Sequence, residues 1–308
     1  EYADFELLFD SEEDAMAHVE AYKASVVEEG DTVYESIDIT IQPQISMVVM
    51  DQATGYVKGI VGGRGEKTAS LSLNRATDST RQPGSTFKIV STYAPALDSA
   101  GMTLASTQYD APYYYDEGKG KEVRNADRSY SGWTSYREGI RRSINIVAVK
   151  TLTDITPELG ATYVQNFGIT TLQTELDSGG NGDVGQAMAL GGLTNGVKNV
   201  ELTAAFATIA NGGVYTEPVF YTRILDHDGN VLIDNTVSTT RTVLKDTTAW
   251  LLTNAMQDVV TSGTGTRANF SGMTIAGKTG TTTSNNDVWF VGYTPYYTAG
   301  VWAGYDNN

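Results

Sequence analysis

The chain has 308 residues, 40% of them hydrophobic and 19% charged, enough to bury one large core or two modest ones. Acidic residues outnumber basic ones 37 to 21, and a net charge of −16 disfavours both nucleic acid and an anionic membrane surface as partners. With no cysteine and 2 histidines, no disulfide, thiolate site or zinc site is expected, and neither a metal nor a cofactor is implied. No apolar run approaches the length of a membrane span, and no signal peptide is visible. The chain begins at Glu1 without a methionine and therefore reads as a fragment, with any anchor lying outside it.

Residues 1–43 are acidic and poor in core side chains. They read as a linker or the remnant of an upstream domain, with Ser11-Glu12-Glu13-Asp14 opening a helix. Residues 45–50 are a predicted buried strand, 51–55 a turn and 56–61 a returning strand. A helix is predicted over 87–97, opening at Ser85, and a second over 136–152, with Ile140, Ile144, Val147 and Thr151 at helical spacing. The stretch 109–133 between them is tyrosine-rich and too polar and irregular for a core element. Its Tyr113-Tyr114-Tyr115 reads as packing over a core edge in preference to a substrate platform. A short helix over 201–210 stops at Asn211-Gly212-Gly213, and 219–225 pairs with 231–234 around Asp228-Gly229. Asp246 caps a further helix with Leu252, Met256 and Val259 on one side. Strand-like runs over 273–282, 287–293 and 297–305 close the chain. Strands at both ends predict an α+β fold: one antiparallel sheet of about five strands flanked by helices. A mostly helical lobe is inserted between the N-terminal hairpin and the C-terminal strands.

The chemistry centres on Ser85, in Arg81-Gln82-Pro83-Gly84-Ser85-Thr86-Phe87-Lys88. A serine hydroxyl is a weak nucleophile and needs a base beside it. Neither histidine is suitably placed, since His18 lies in an acidic helix and His227 in the turn Asp226-His227-Asp228-Gly229. Lys88, three residues after Ser85, shares its face on a helix. Three short motifs occur in order: Ser85-Thr86-Phe87-Lys88, Ser143-Ile144-Asn145 and Lys278-Thr279-Gly280. Singly each has an ordinary explanation: a helix cap, polar residues on a helix, an edge strand guarded by a lysine. As an ordered set they form the signature of penicillin-binding proteins and class A β-lactamases.

On these motifs, residues 44–308 resemble the transpeptidase domain of class A penicillin-binding proteins. The resemblance extends to Ala210-Asn211-Gly212-Gly213, Gly263-Thr264-Gly265-Thr266, Ala276 to Thr282 and Asp287 to Pro295. It implies a DD-peptidase/β-lactamase-like fold, in which the C-terminal helix that packs on the sheet in family members is either cut away after Asn308 or absent. The implied catalytic residues are Ser85, Lys88, Ser143, Asn145 and Lys278, with Thr279, Gly280 and Thr281 binding substrate. The implied oxyanion hole is formed by the backbone N–H groups of Ser85 and Thr281.

Physical reasons accompany these assignments. Pro83-Gly84 would start a helix whose free N–H groups favour negative charge at Ser85. Burial and the Lys278 cation would lower the pKa of Lys88, and Gly280 would let its strand lie close against substrate. Lys278, Thr279 and Thr281 suit a terminal carboxylate. The implied reaction is cross-linking of peptidoglycan stem peptides ending D-Ala-D-Ala through an acyl-enzyme on Ser85, blocked by β-lactams. The implied setting is the extracytoplasmic face of a bacterial membrane, behind a glycosyltransferase domain. The rivals are a DD-carboxypeptidase or β-lactamase-type hydrolase, and a penicillin-binding sensor without turnover. The deacylating Glu-x-x-x-Asn pattern of class A β-lactamases is not met by Glu158, Glu175, Glu201 or Glu217. Three intact motifs argue against an inert scaffold.

Overall fold

The computed structural model describes residues 8–37, 39–67, 70–116, 119–180, 182–283 and 285–306. The chain divides into two compact units, Glu1–Gln42 and Pro43–Asn308. The first holds one helix, α1 (Glu12–Val26), capped by Ser11, whose Oγ accepts the N–H of Asp14 at 3.1 Å. Three acidic residues fill its first turn, where they complement the helix dipole, and Ala15 is its one buried residue.

The second unit is built on a five-stranded antiparallel sheet, as expected. Its strands are β1 (Gln44–Asp51), β2 (Val57–Val61), β3 (Ala276–Thr281), β4 (Asp287–Tyr293) and β5 (Tyr297–Gly304), in the order β3-β4-β5-β1-β2. The first strand is therefore internal, paired with the last from Gln44↔Gly304 to Asp51↔Tyr297. Alternation along β1 buries Gln44, Ser46, Val48 and Met50 on one face, and β5 buries Thr298, Gly300 and Trp302 on the same face. Helix α6 (Asn199–Ala210) packs on β1 and β5, and α7 (Asp246–Ser262) packs on β3. Buried Asn199 joins helix to sheet, donating from Nδ2 to Ser46 Oγ at 2.9 Å and to Gly300 O at 3.3 Å.

The intervening segment carries α2 (Ala94–Asp98), α3 (Tyr136–Arg141), α4 (Asn145–Ile155) and α5 (Pro157–Asn166) around the larger hydrophobic cluster, which includes Phe87, Val90, Ile146, Leu152 and Phe206. Here the structure departs from the expected elements in ways that matter. The helix after Ser85 is not uniform: a 3₁₀ turn over Gly84–Thr86 passes into a π-helical run over Ile89–Tyr93 and then into α2. Pro95 just beyond it has no N–H for the carbonyl of Ser91, and the N–H of Ala94 bonds to Ile89 O, five residues back. The helix expected over 136–152 is two helices, broken at Arg142-Ser143-Ile144.

Smaller differences follow the same theme of local chemistry overriding pattern. The stretch 109–133 forms two short ladders, Thr107–Asp110 with Gly132–Ser135 and Tyr113–Tyr114 with Glu122–Val123. Tyr113 and Tyr115 pack against the core, whereas Tyr114 is exposed. The strand expected over 219–225 shortens to Arg223–Leu225, and Thr240–Thr242 pairs with Val214–Thr216 outside any expected element. Lys245 caps α7, with Asp246 as its first helical residue.

Candidate active site

Ser85 sits half-buried in the 3₁₀ turn, next to Gly84, which lies between two backbones. Gly84 has φ of +53°, and a Cβ there would lie 2.9 Å from Thr281 N and 2.8 Å from Thr281 O. On its other side, a Cβ on Gly191 would come within 2.5 Å of Gly84 O. Any side chain at 84 would push β3 away from the nucleophile segment. Gly280 makes the matching approach: its Cβ would meet Pro83 O at 2.5 Å. The protein itself also requires Gly280 to be bare, through contact with Pro83 and Thr86. Trp289 Nε1 donates to Gln82 O at 2.9 Å, and Thr86 Oγ1 to Pro83 O at 2.7 Å, locking the turn to the sheet.

Ser143 lies in the break between α3 and α4, with φ of +59° in the left-handed region. Ile144 is extended and Asn145 begins α4, so Ser143 and Asn145 turn into the same space. Both lysines reach that space and are fully buried. Lys88 Nζ donates to Ser143 O at 2.7 Å, to Ser143 Oγ at 3.3 Å and to Asn145 Oδ1 at 2.6 Å. Lys278 Nζ donates to Ser143 Oγ at 2.8 Å and to Thr279 O at 3.1 Å. The Ser143 hydroxyl is therefore a bridge between the side-chain nitrogens of two lysines. Among the described residues no hydrogen bond joins Ser85 to Lys88, whose three donors all point at the Ser143 turn.

Burial dominates the electrostatics. It pushes Lys278 down to about 7, within range of losing its proton near neutrality. Lys88 is driven well below the ordinary lysine range, first by burial and then by the charge of Lys278. Burial opposes a charge on either lysine, and the charge of Lys278 adds to the cost of one on Lys88. This arrangement can take a proton from a nearby hydroxyl and pass it on through Ser143. Among the described residues no cluster of three His, Asp or Glu side chains could hold a metal ion.

The sequence pattern did not single out Asn125. Buried at the start of α4, its Oδ1 accepts the N–H of Asn145 at 3.1 Å and of Ile146 at 3.2 Å, capping a helix whose own cap position is Ile144. Its Nδ2 is held by Asp110 Oδ1 at 2.8 Å and Ser129 O at 2.9 Å. The neighbouring Arg124 carbonyl accepts Asn145 Nδ2 at 2.7 Å, which turns Asn145 Oδ1 toward Lys88. The one visible signal was an Asn among tyrosines, which reads as a loop residue.

A serine, two buried lysines and a shared hydroxyl against a sheet edge define a serine–lysine site, distinct from the serine–histidine kind. The family signature described as penicillin binding protein transpeptidase domain matches residues 45–308. Penicillin-binding protein 1A of Clostridium tetani is 36% identical over 280 residues, covering 87% of this chain and 34% of that protein. Penicillin-binding protein 1F of Bacillus subtilis is 38% identical over 267 residues, covering 85% and 35%. The structure of PonA1 from Mycobacterium tuberculosis in complex with penicillin V aligns with a TM-score of 0.74 at 25% identity, covering 85% of this chain and 69% of that one. The chain belongs to the penicillin-binding proteins and carries the transpeptidase domain of their class A. It spans 34% and 35% of the length of the two curated relatives, so it corresponds to one part of them.

Proposed function

We propose that this domain is a serine DD-transpeptidase that cross-links peptidoglycan stem peptides and is acylated by β-lactams. The observation that carries the reading is the Ser143 hydroxyl held between buried Lys88 and Lys278, beside the Ser85 turn. Ser85 Oγ attacks the carbonyl carbon of the penultimate D-alanine, and its proton passes to a neutral Lys88. Oxygen charge that develops on that carbon is met by the backbone N–H groups of Ser85 and Thr281. The C–N bond to the terminal D-alanine then breaks, and the leaving nitrogen takes a proton through Ser143. An ester on Ser85 remains until the amine of a second stem peptide attacks it, breaks the ester C–O bond and returns a proton to Ser85. Lys278, Thr279 and Thr281 hold the terminal carboxylate of the donor peptide.

A β-lactam is an acyl donor whose leaving nitrogen stays tethered, so it blocks the second attack. The penicillin V complex of PonA1 supports this part of the reading. Residues 1–43 as a linker, a glycosyltransferase domain upstream and a site on the extracytoplasmic face of the membrane belong to the same proposal. Among the described residues no helix is long and apolar enough to cross a membrane.

Intact mass after mixing with benzylpenicillin tests it. One adduct that persists for hours on the wild type, and none on Ser85→Ala, is expected. Adduct on another serine of Ser85→Ala would overturn the assignment of the nucleophile. Consumption of penicillin with return of the original mass would establish a hydrolase instead.

A further inference from the structure

The run Gly263-Thr264-Gly265-Thr266 has no part in the acyl transfer set out above, yet it is pinned against the site from two sides. Where α7 ends, Arg141 Nη1 donates to Ser262 O at 2.7 Å, and Thr264 N–H donates to Arg141 O at 3.4 Å. Gly263 lies so close to α3 that a Cβ would fall 2.3 Å from Arg141 O. Gly265 is buried, with the Phe290 ring 3.4 Å from its Cβ direction. These contacts fix Thr264 between the helix that leads into Ser143 and the strand that carries Lys278. Its side chain is exposed, and its Oγ1 lies 2.6 Å from Thr279 Oγ1.

Two hydroxyls at that separation share one proton between them and leave the other free. If Thr264 donates to Thr279, the Thr279 oxygen is already accepting, and its own O–H becomes a stronger donor, aimed outward. A carboxylate has only acceptors and would complete that chain: Thr264 O–H to Thr279 Oγ1, and Thr279 O–H to carboxylate oxygen. We propose that Thr264 is a positioning residue for recognition of the donor's carboxylate, polarising and orienting the Thr279 hydroxyl. The inference rests on the acyl-transfer reading, and it adds a residue outside the three motifs.

The test compares second-order acylation rates by intact mass for wild type, Thr264→Ser and Thr264→Val. Each is challenged with benzylpenicillin and with its methyl ester, which lacks the carboxylate. Loss of the Thr264–Thr279 hydrogen bond, one between neutral groups, predicts a drop of up to about tenfold for Thr264→Val with benzylpenicillin. Thr264→Ser should stay near wild type, and the methyl ester should acylate all three proteins at one rate. A wild-type rate for Thr264→Val with benzylpenicillin overturns this inference alone. So does an equal slowing of acid and ester, which would show a merely structural role. No labelling of the wild type would overturn the acyl-transfer reading and this inference with it.

Discussion

Two interrupted helices build the site, and they are interrupted by different means. After Ser85 the ladder shifts to five-residue spacing ahead of Pro95, and the left-handed residue of that segment is a glycine, Gly84. Between α3 and α4 the left-handed residue is Ser143 itself, at φ of +59°. For an L-residue with a Cβ that conformation costs roughly 1–2 kcal/mol. The contrast follows from what each position contributes. Gly84 supplies only backbone, squeezed between Thr281 and Gly191, so a bare residue serves best. At 143 the hydroxyl is the link between two lysines, so the strain-free residue would remove that link. Strain is carried where the side chain has no substitute.

Lys88 ties the two breaks together, and removing it should produce the largest effect. Lys88→Ala is expected to slow acylation by benzylpenicillin at least ~100-fold, the usual loss with a general base. A normal rate, measured by stopped acylation time courses, would move the base role to Lys278. Next in size is a pH effect on stability. The folded chain releases the Lys278 proton near 7, whereas the unfolded chain holds it to about its ordinary value of 10.5. Between those limits the unfolded state binds more protons, so stability rises with pH, by up to about 1.4 kcal/mol per pH unit. Denaturant midpoints of the wild type should therefore gain on those of Lys278→Met as pH goes from 7 toward 10. A constant difference would mean that burial does not hold Lys278 below its ordinary range. The smallest effect separates strain from chemistry at the second break. Ser143→Ala and Ser143→Gly should both acylate slowly, yet the glycine variant should be the more stable by about 1 kcal/mol. Equal stabilities would show that the left-handed turn carries no strain.

Most of the sheet could be read from short apolar runs bounded by turn residues, although the alternation of burial along β1 and β5 shows only in the structure. The break at Ser143 could not, because Ile140, Ile144 and Val147 keep helical spacing across it and all three are buried. Apolar periodicity is blind to one residue turning left-handed between two helices whose faces still agree. The shift after Ser85 was not legible either, because Pro95 marks one missing N–H and spacing alone does not say which carbonyls change partner. The motif residues were legible because each carries a distinctive functional group. Asn125 was not, because it caps a helix that begins 20 residues later, and nothing local marks that pairing. The protein's own reason for a bare Gly280 also needed the fold, since the backbone that glycine touches belongs to Pro83.

The place of β1 inside the sheet has a consequence for how the protein is made. Its neighbours on one side arrive late: Gln52 is bonded to Thr298, 246 residues further on. The Ser85 segment leaves the ribosome early, but the strand packed against its Gly84 comes from residues 276–281. Contacts of such long range are slow to form, and β1 waits with one edge unpaired until they do. A nascent chain that already displays Ser85 and Lys88 thus has no Lys278 and no second wall to its cleft. Covalent capture of penicillin would report that the two ends of the domain have met.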